Sequence, residues 1–127
     1  MSRVAVRAIH QDLLEHTRSV LSDGAGTFDG ETLTCTECPP FQGTDRLIFR
    51  DTEIVLIHEG ETESEIVLRL QGMGTAKILT PYGTMFCEAK LLEYQRQQTA
   101  VHIAYQILQN GDVLSHIALD YQFRPLV

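Results

Sequence analysis

Cys35 and Cys38 form a Cys-x-x-Cys pair, the spacing with which thiolates clamp zinc or exchange a disulfide. Structural zinc takes four ligands and only Cys87 remains, so a metal centre here needs Cys87 or a histidine to complete it. Redox work asks for the pair at a helix start, where the thiolate is stabilised, and Pro39-Pro40 directly after Cys38 bars a regular helix interior. The two cysteines read first as a coincidence of spacing, next as part of a metal site, last as a redox couple. A second group, His102, His116 and Asp120, has the donor types to hold a divalent metal or pass a proton. It lacks a third ligand at fixed spacing, and the plainer reading is a solvated face.

Nucleophilic chemistry finds less support. Ser115 beside His116, and Cys87 beside Glu88, cannot act as nucleophile and base, because successive residues on a strand point to opposite faces; no Gly-x-Ser-x-Gly elbow is present either. Gly72-Met73-Gly74 is no phosphate cradle, since no helix-forming segment with Lys-Ser or Lys-Thr follows it. The residues therefore predict no catalytic set, no cofactor and no resident metal.

The elements that would position any site are strands. Runs rich in β-branched and aromatic residues predict strands at Thr32–Cys38, Asp45–Arg50, Glu53–His58, Glu63–Leu70, Thr75–Thr80, Thr84–Tyr94, Thr99–Leu108 and Val113–Phe123. Asp12 to Leu21 is assigned to one further strand, because Leu14, His16, Arg18 and Val20 make no clean helical stripe. Pro81 and Gly83 mark a tight turn within Thr80-Pro81-Tyr82-Gly83, and Asn110-Gly111 marks another. The fold class is all-β: an antiparallel meander of about eight to ten strands, best accommodated by closing into a barrel that removes exposed edges.

Composition narrows the setting. The 127 residues suit one domain with one core. A formal charge of −7 repels phosphate, so nucleic acid is not an expected partner. The alternating Glu59, Glu61, Glu63 and Glu65 read as a solvated hairpin connection ahead of a cation site. No apolar run reaches the ~20 residues that span a bilayer, and three cysteines, an odd number, suit a reducing compartment. The expectation is a soluble cytoplasmic protein with no membrane partner.

The last hairpin permits a deduction about register. A two-residue Asn110-Gly111 loop would put Ile103 opposite Ala118 and mix apolar with polar faces. A three-residue loop, Gln109-Asn110-Gly111, instead sets Ile103 against Ile117 and Val101 against Leu119, with His102, Gln106, His116 and Asp120 on the opposite face.

The chain resembles the YwiB-like bacterial proteins of uncharacterised function through Thr80-Pro81-Tyr82-Gly83 followed by Met85, Ile103-Ala104-Tyr105 leading to Asn110-Gly111-Asp112, the return strand Ser115 to Leu119, and Gly60 and Gly72. The likeness covers Leu47 to Phe123, while Cys35-Thr36-Glu37-Cys38-Pro39-Pro40 departs from it. It implies a calycin-like barrel, lipocalin-like in shape, and no reaction.

On the deduced register the lumen is lined by Val101, Ile103, Tyr105, Ile117, Leu119 and Tyr121, joined by Ile66, Leu68, Leu70 and Met85. Such a barrel either fills its interior or leaves room for one small ligand. In a hollow barrel Tyr105, Arg69 and Tyr82 serve as polar anchors. The expected function is binding of a small, mainly apolar molecule in the lumen. The alternative is a packed-core interaction module that forms a homodimer by edge pairing.

Overall fold

Alternation of inward apolar and outward polar side chains carries the chain once around a closed barrel. In the computed structural model, which describes residues 2–126, ten antiparallel strands follow in sequence order. They are β1 (Ser2–Asp12), β2 (Thr17–Phe28), β3 (Thr32–Thr36), β4 (Thr44–Phe49), β5 (Glu53–Glu59), β6 (Glu63–Arg69), β7 (Gly74–Thr80), β8 (Gly83–Arg96), β9 (Ala100–Gln109) and β10 (Asp112–Pro125). Each strand pairs with its sequence neighbour, and β1 pairs with β10 to close the ring. Met1 and Val127 lie outside the described residues. No helix among those residues is long and apolar enough to cross a membrane.

The core is the barrel interior. Leu33 on β3, Leu47 on β4, Ile54 on β5, Leu68 on β6 and Ile103 on β9 are essentially inaccessible. Most of their sequence neighbours are more exposed, as strand alternation requires, while Val55 beside Ile54 and Ala104 beside Ile103 are buried as well but lie outside the central core cluster.

The N-terminus corrects the expectation of one strand over Asp12 to Leu21. Two strands, β1 and β2, flank a four-residue turn, Leu13 to His16. Asp12 builds that turn: its Oδ1 accepts the backbone N–H groups of Leu14 and Glu15, each at 3.0 Å, and His16 takes the left-handed conformation at φ 57°. Arg3 and Arg7 do not interrupt β1, because they point outward while Val4, Val6 and Ala8 fill the core.

The last hairpin corrects the three-residue loop. Asn110 and Gly111 both have positive φ, 53° and 84°, and form a two-residue turn with Gln109 opposite Asp112. Parity is restored further on, where Leu114 bulges out of β10 between Val113 and Ser115. Beyond the bulge Ile117 faces Tyr105, Leu119 faces Ile103 and Tyr121 faces Val101. The pairing is therefore displaced by two residues from Ile103–Ile117 and Val101–Leu119. Two residues are one pleat period, so Ile103 and Ile117 still share the inner face, both buried.

Closure also bears on the expected edge-paired homodimer. With β1 joined to both β2 and β10, the ring has no terminal strand to offer a partner.

Candidate functional site: a polar-walled cavity at one end of the barrel

Three neighbouring strands bring chemistry to one end of the lumen. Asp45 continues the inward row of Leu47 and Phe49 on β4, and His58 continues that of Ile54 and Leu56 on β5. The β4–β5 register sets Asp45 directly opposite His58. Glu37 lies one residue beyond β3, where its N–H donates to the Gly43 carbonyl at 2.8 Å and keeps the chain in strand-like register next to Asp45.

The result is a cluster in which His58 Nδ1 lies 2.9 Å from Asp45 Oδ1 and 3.1 Å from Glu37 Oε2. The Glu37 and Asp45 side chains are only 7% and 10% exposed. Asp45 Oδ2 is buried with no hydrogen-bond donor. Burial, then the hydrogen bond to Asp45 and its charge, pushes the Glu37 carboxyl up to about 8, so at neutral pH Glu37 keeps a proton.

Backbone geometry seats the imidazole. Gly43 has φ 133°, and a Cβ there would lie 2.4 Å from the Glu59 carbonyl oxygen and 2.7 Å from His58 Cε1. A Cβ on Gly60 would meet Nε2 of the same ring at 3.2 Å. The Cε1–Nε2 edge of the ring thus packs where two neighbouring residues lack a side chain, and Nδ1 is turned to the carboxylates.

The cluster forms one wall of a cavity of about 400 Å³. His10, Ser64, Tyr105 and Tyr121 add polar groups to the lining, and Leu21, Phe41, Leu47, Leu56, Ile66 and Leu119 supply the apolar surface. Burial keeps His10 below the usual imidazole range and raises both tyrosine hydroxyls, so the imidazole is neutral and the phenols remain donors at pH 7. Phe41, in the loop between β3 and β4, lies against His10 with ring centroids 5.2 Å apart. At the rim Arg46 is engaged by Glu59.

Of the residues expected to line the lumen, Tyr105, Leu119 and Tyr121 border this cavity, as does Ile66. Val101, Ile103, Ile117 and Leu68 lie in the packed interior away from it. Arg69, Tyr82 and Leu70 are not in the lumen: Arg69 points outward from β6 beside the buried Leu68, Tyr82 is 99% exposed at the β7–β8 turn, and Leu70 lies exposed beyond β6. Met85 shares the inner parity of Cys87 but is 38% exposed and does not reach the cavity.

Cys35 is buried on β3, and burial, reinforced by the Asp45 charge, pushes its thiol up to about 12, which leaves it a poor nucleophile. Cys38 donates its thiol to the Val20 carbonyl at 3.3 Å. Among the described residues the side chains grouped closely enough to hold a metal are Glu37, Asp45 and His58, and no cysteine is among them. His102 does meet Asp120, Nδ1 to Oδ1 at 2.6 Å, and Glu93 at 3.5 Å, whereas His116 stands opposite Gln106.

Glu37, Asp45 and His58 were not singled out by residue pattern. The signal was present in two of them, since each stands at the end of an inward row that is otherwise apolar.

Ten antiparallel strands closed around a polar-walled cavity define a β-barrel with a ligand-sized opening. Among solved structures, the ywiB protein from Bacillus subtilis is similar, with a TM-score of 0.59 and 12% identity over 94% of this chain and 89% of that one. At that identity the likeness concerns the fold alone. No protein-family model matches the chain, and no curated protein does.

Proposed function

We propose that the protein is a binding barrel of calycin-like type that holds a small, mainly apolar molecule in the cavity bordered by Tyr105, Leu119 and Tyr121. The observation that carries this reading is the cavity of about 400 Å³, within the range of small-molecule sites, where apolar walls converge on a few fixed polar groups. The polar end sets the ligand's character. Two carboxyl groups stand there, and the rim cation Arg46 is already engaged by Glu59. A ligand with a neutral or cationic head is accepted; a carboxylate head meets repulsion. Three free cysteines fit a cytoplasmic setting for such a carrier or sensor.

A second reading, a homodimer, draws on the apolar surface near the β7–β8 turn, where Tyr82 is 99% and Phe86 71% exposed. One experiment separates the two. Thermal unfolding is followed against matched long-chain alcohols, amines and fatty acids, with mass measured by sedimentation over a range of protein concentrations. The binding reading expects saturable stabilisation by alcohols and amines, weaker with acids, that is abolished in Leu119→Trp. No stabilisation by any of them, with a mass that rises with concentration, would replace it with the dimer.

A further inference from the structure

We propose that Glu37, Asp45 and His58 form a mononuclear site for a divalent transition cation, open on one side to the cavity. This goes beyond the apolar-ligand reading and does not rest on it, since the metal could be held with the remaining cavity filled only by water.

Geometry is the first support. Ligands around an ion with bonds of about 2.1 Å stand about 3.0 Å apart in octahedral and about 3.4 Å apart in tetrahedral coordination. The imidazole Nδ1 lies 2.9 Å and 3.1 Å from one oxygen of each carboxyl group, and the three donor atoms all lie within 4.8 Å of one another. An ion needs only small side-chain adjustments to touch all three.

Charge is the second. Two carboxylates, each about nine-tenths buried, carry two negative charges, and even a protonated His58 brings only one positive. A divalent cation with neutral His58 balances the cluster completely and gives the unpartnered Asp45 Oδ2 a positive neighbour.

Donor chemistry and rigidity are the third and fourth. Two oxygens and one imidazole nitrogen suit zinc and its first-row neighbours; calcium takes more oxygen ligands, and copper(I) prefers sulfur. Gly43 and Gly60 lie close against the Cε1–Nε2 edge of the imidazole while Nδ1 already meets both carboxyl groups, so little ordering remains for the ion to impose. Three protein ligands on one wall leave coordination positions facing the lumen, the arrangement of sites that exchange a water or a small ligand.

The test uses the full chain, stripped with chelator and titrated with Zn2+ by calorimetry, with Co2+ absorption as a second readout of coordination. One equivalent per chain is expected, with a cobalt spectrum of a mixed oxygen and nitrogen site. His58→Gln and Glu37→Gln should each weaken binding at least about tenfold while retaining a cooperative melt. His102→Ala, which breaks the half-buried His102–Asp120 pair remote from the cavity lining, should leave binding unchanged. Should His58→Gln fail to fold, Glu37→Gln alone decides. Absence of stoichiometric binding, equal affinity in Glu37→Gln, or loss of binding in His102→Ala would each overturn the site. Failure of the alcohols and amines to stabilise the barrel would leave this result untouched.

Discussion

Burying two carboxyl groups side by side costs free energy that a barrel of apolar side chains does not recover, and in the metal-free protein Glu37 absorbs that cost by holding its proton. Its carboxyl titrates near 4.5 when unfolded and about 8 when folded, so between those values the folded state binds more protons. The stability linked to Glu37 is complete below pH 4.5 and is lost as pH rises through 8. In chelator-treated protein, Glu37→Gln should therefore lose less of its denaturation midpoint than wild type between pH 5 and pH 9; equal losses in the two proteins would show that Glu37 does not carry the effect. At this scale the sequence was partly legible. Asp45 and His58 occupy positions that the alternation of their strands assigns to the core, where a charged side chain needs a reason. Glu37 was harder, because it lies beyond β3 and its inward placement depends on the backbone bond to Gly43. The eye-catching Cys-x-x-Cys spacing gathers nothing, since Cys35 points into the core and Cys38 belongs to the loop that follows.

At the level of elements, eight of the ten strands lie where residue types place them, because hydrophobic alternation and turn chemistry agree along most of the chain. Two departures, the split of the N-terminal segment into β1 and β2 and the register of the last hairpin, have local causes. At the N-terminus a turn built by Asp12 replaces the Gly or Pro that usually announces one. In the last hairpin a bulge at Leu114 does what a longer loop was expected to do, and a bulged residue has no sequence signature of its own. Deleting Leu114 makes a clean test. Ser115 then follows Val113 and still faces Ile107, so the inner row of Ile117, Leu119 and Tyr121 is preserved and the variant should melt cooperatively. Deleting Ala118 instead throws Leu119 and Tyr121 to the outer face and should abolish the transition, as followed by circular dichroism. Equal damage from both deletions would mean that the bulge, not the parity, holds the hairpin.

For the whole molecule, closure follows from many short antiparallel strands with no edge left over, and that much could be read from the chain. Whether the interior is full could not, because it depends on how side chains from all ten strands share one volume. The interior is in fact uneven. Val101, Ile103 and Ile117 pack with the other core residues away from the cavity, while Leu21, Leu47, Leu56, Ile66 and Leu119 border open space next to the polar cluster. Binding at that space is the central claim, and methyl-resolved NMR during titration with a neutral long-chain alcohol tests it most directly. The methyl signals of Leu21, Leu47, Leu56, Ile66 and Leu119 should shift together and saturate while that of Ile103 holds still; shifts confined to Leu79 and Met85 near the β7–β8 turn, or no shifts at all, would contradict it.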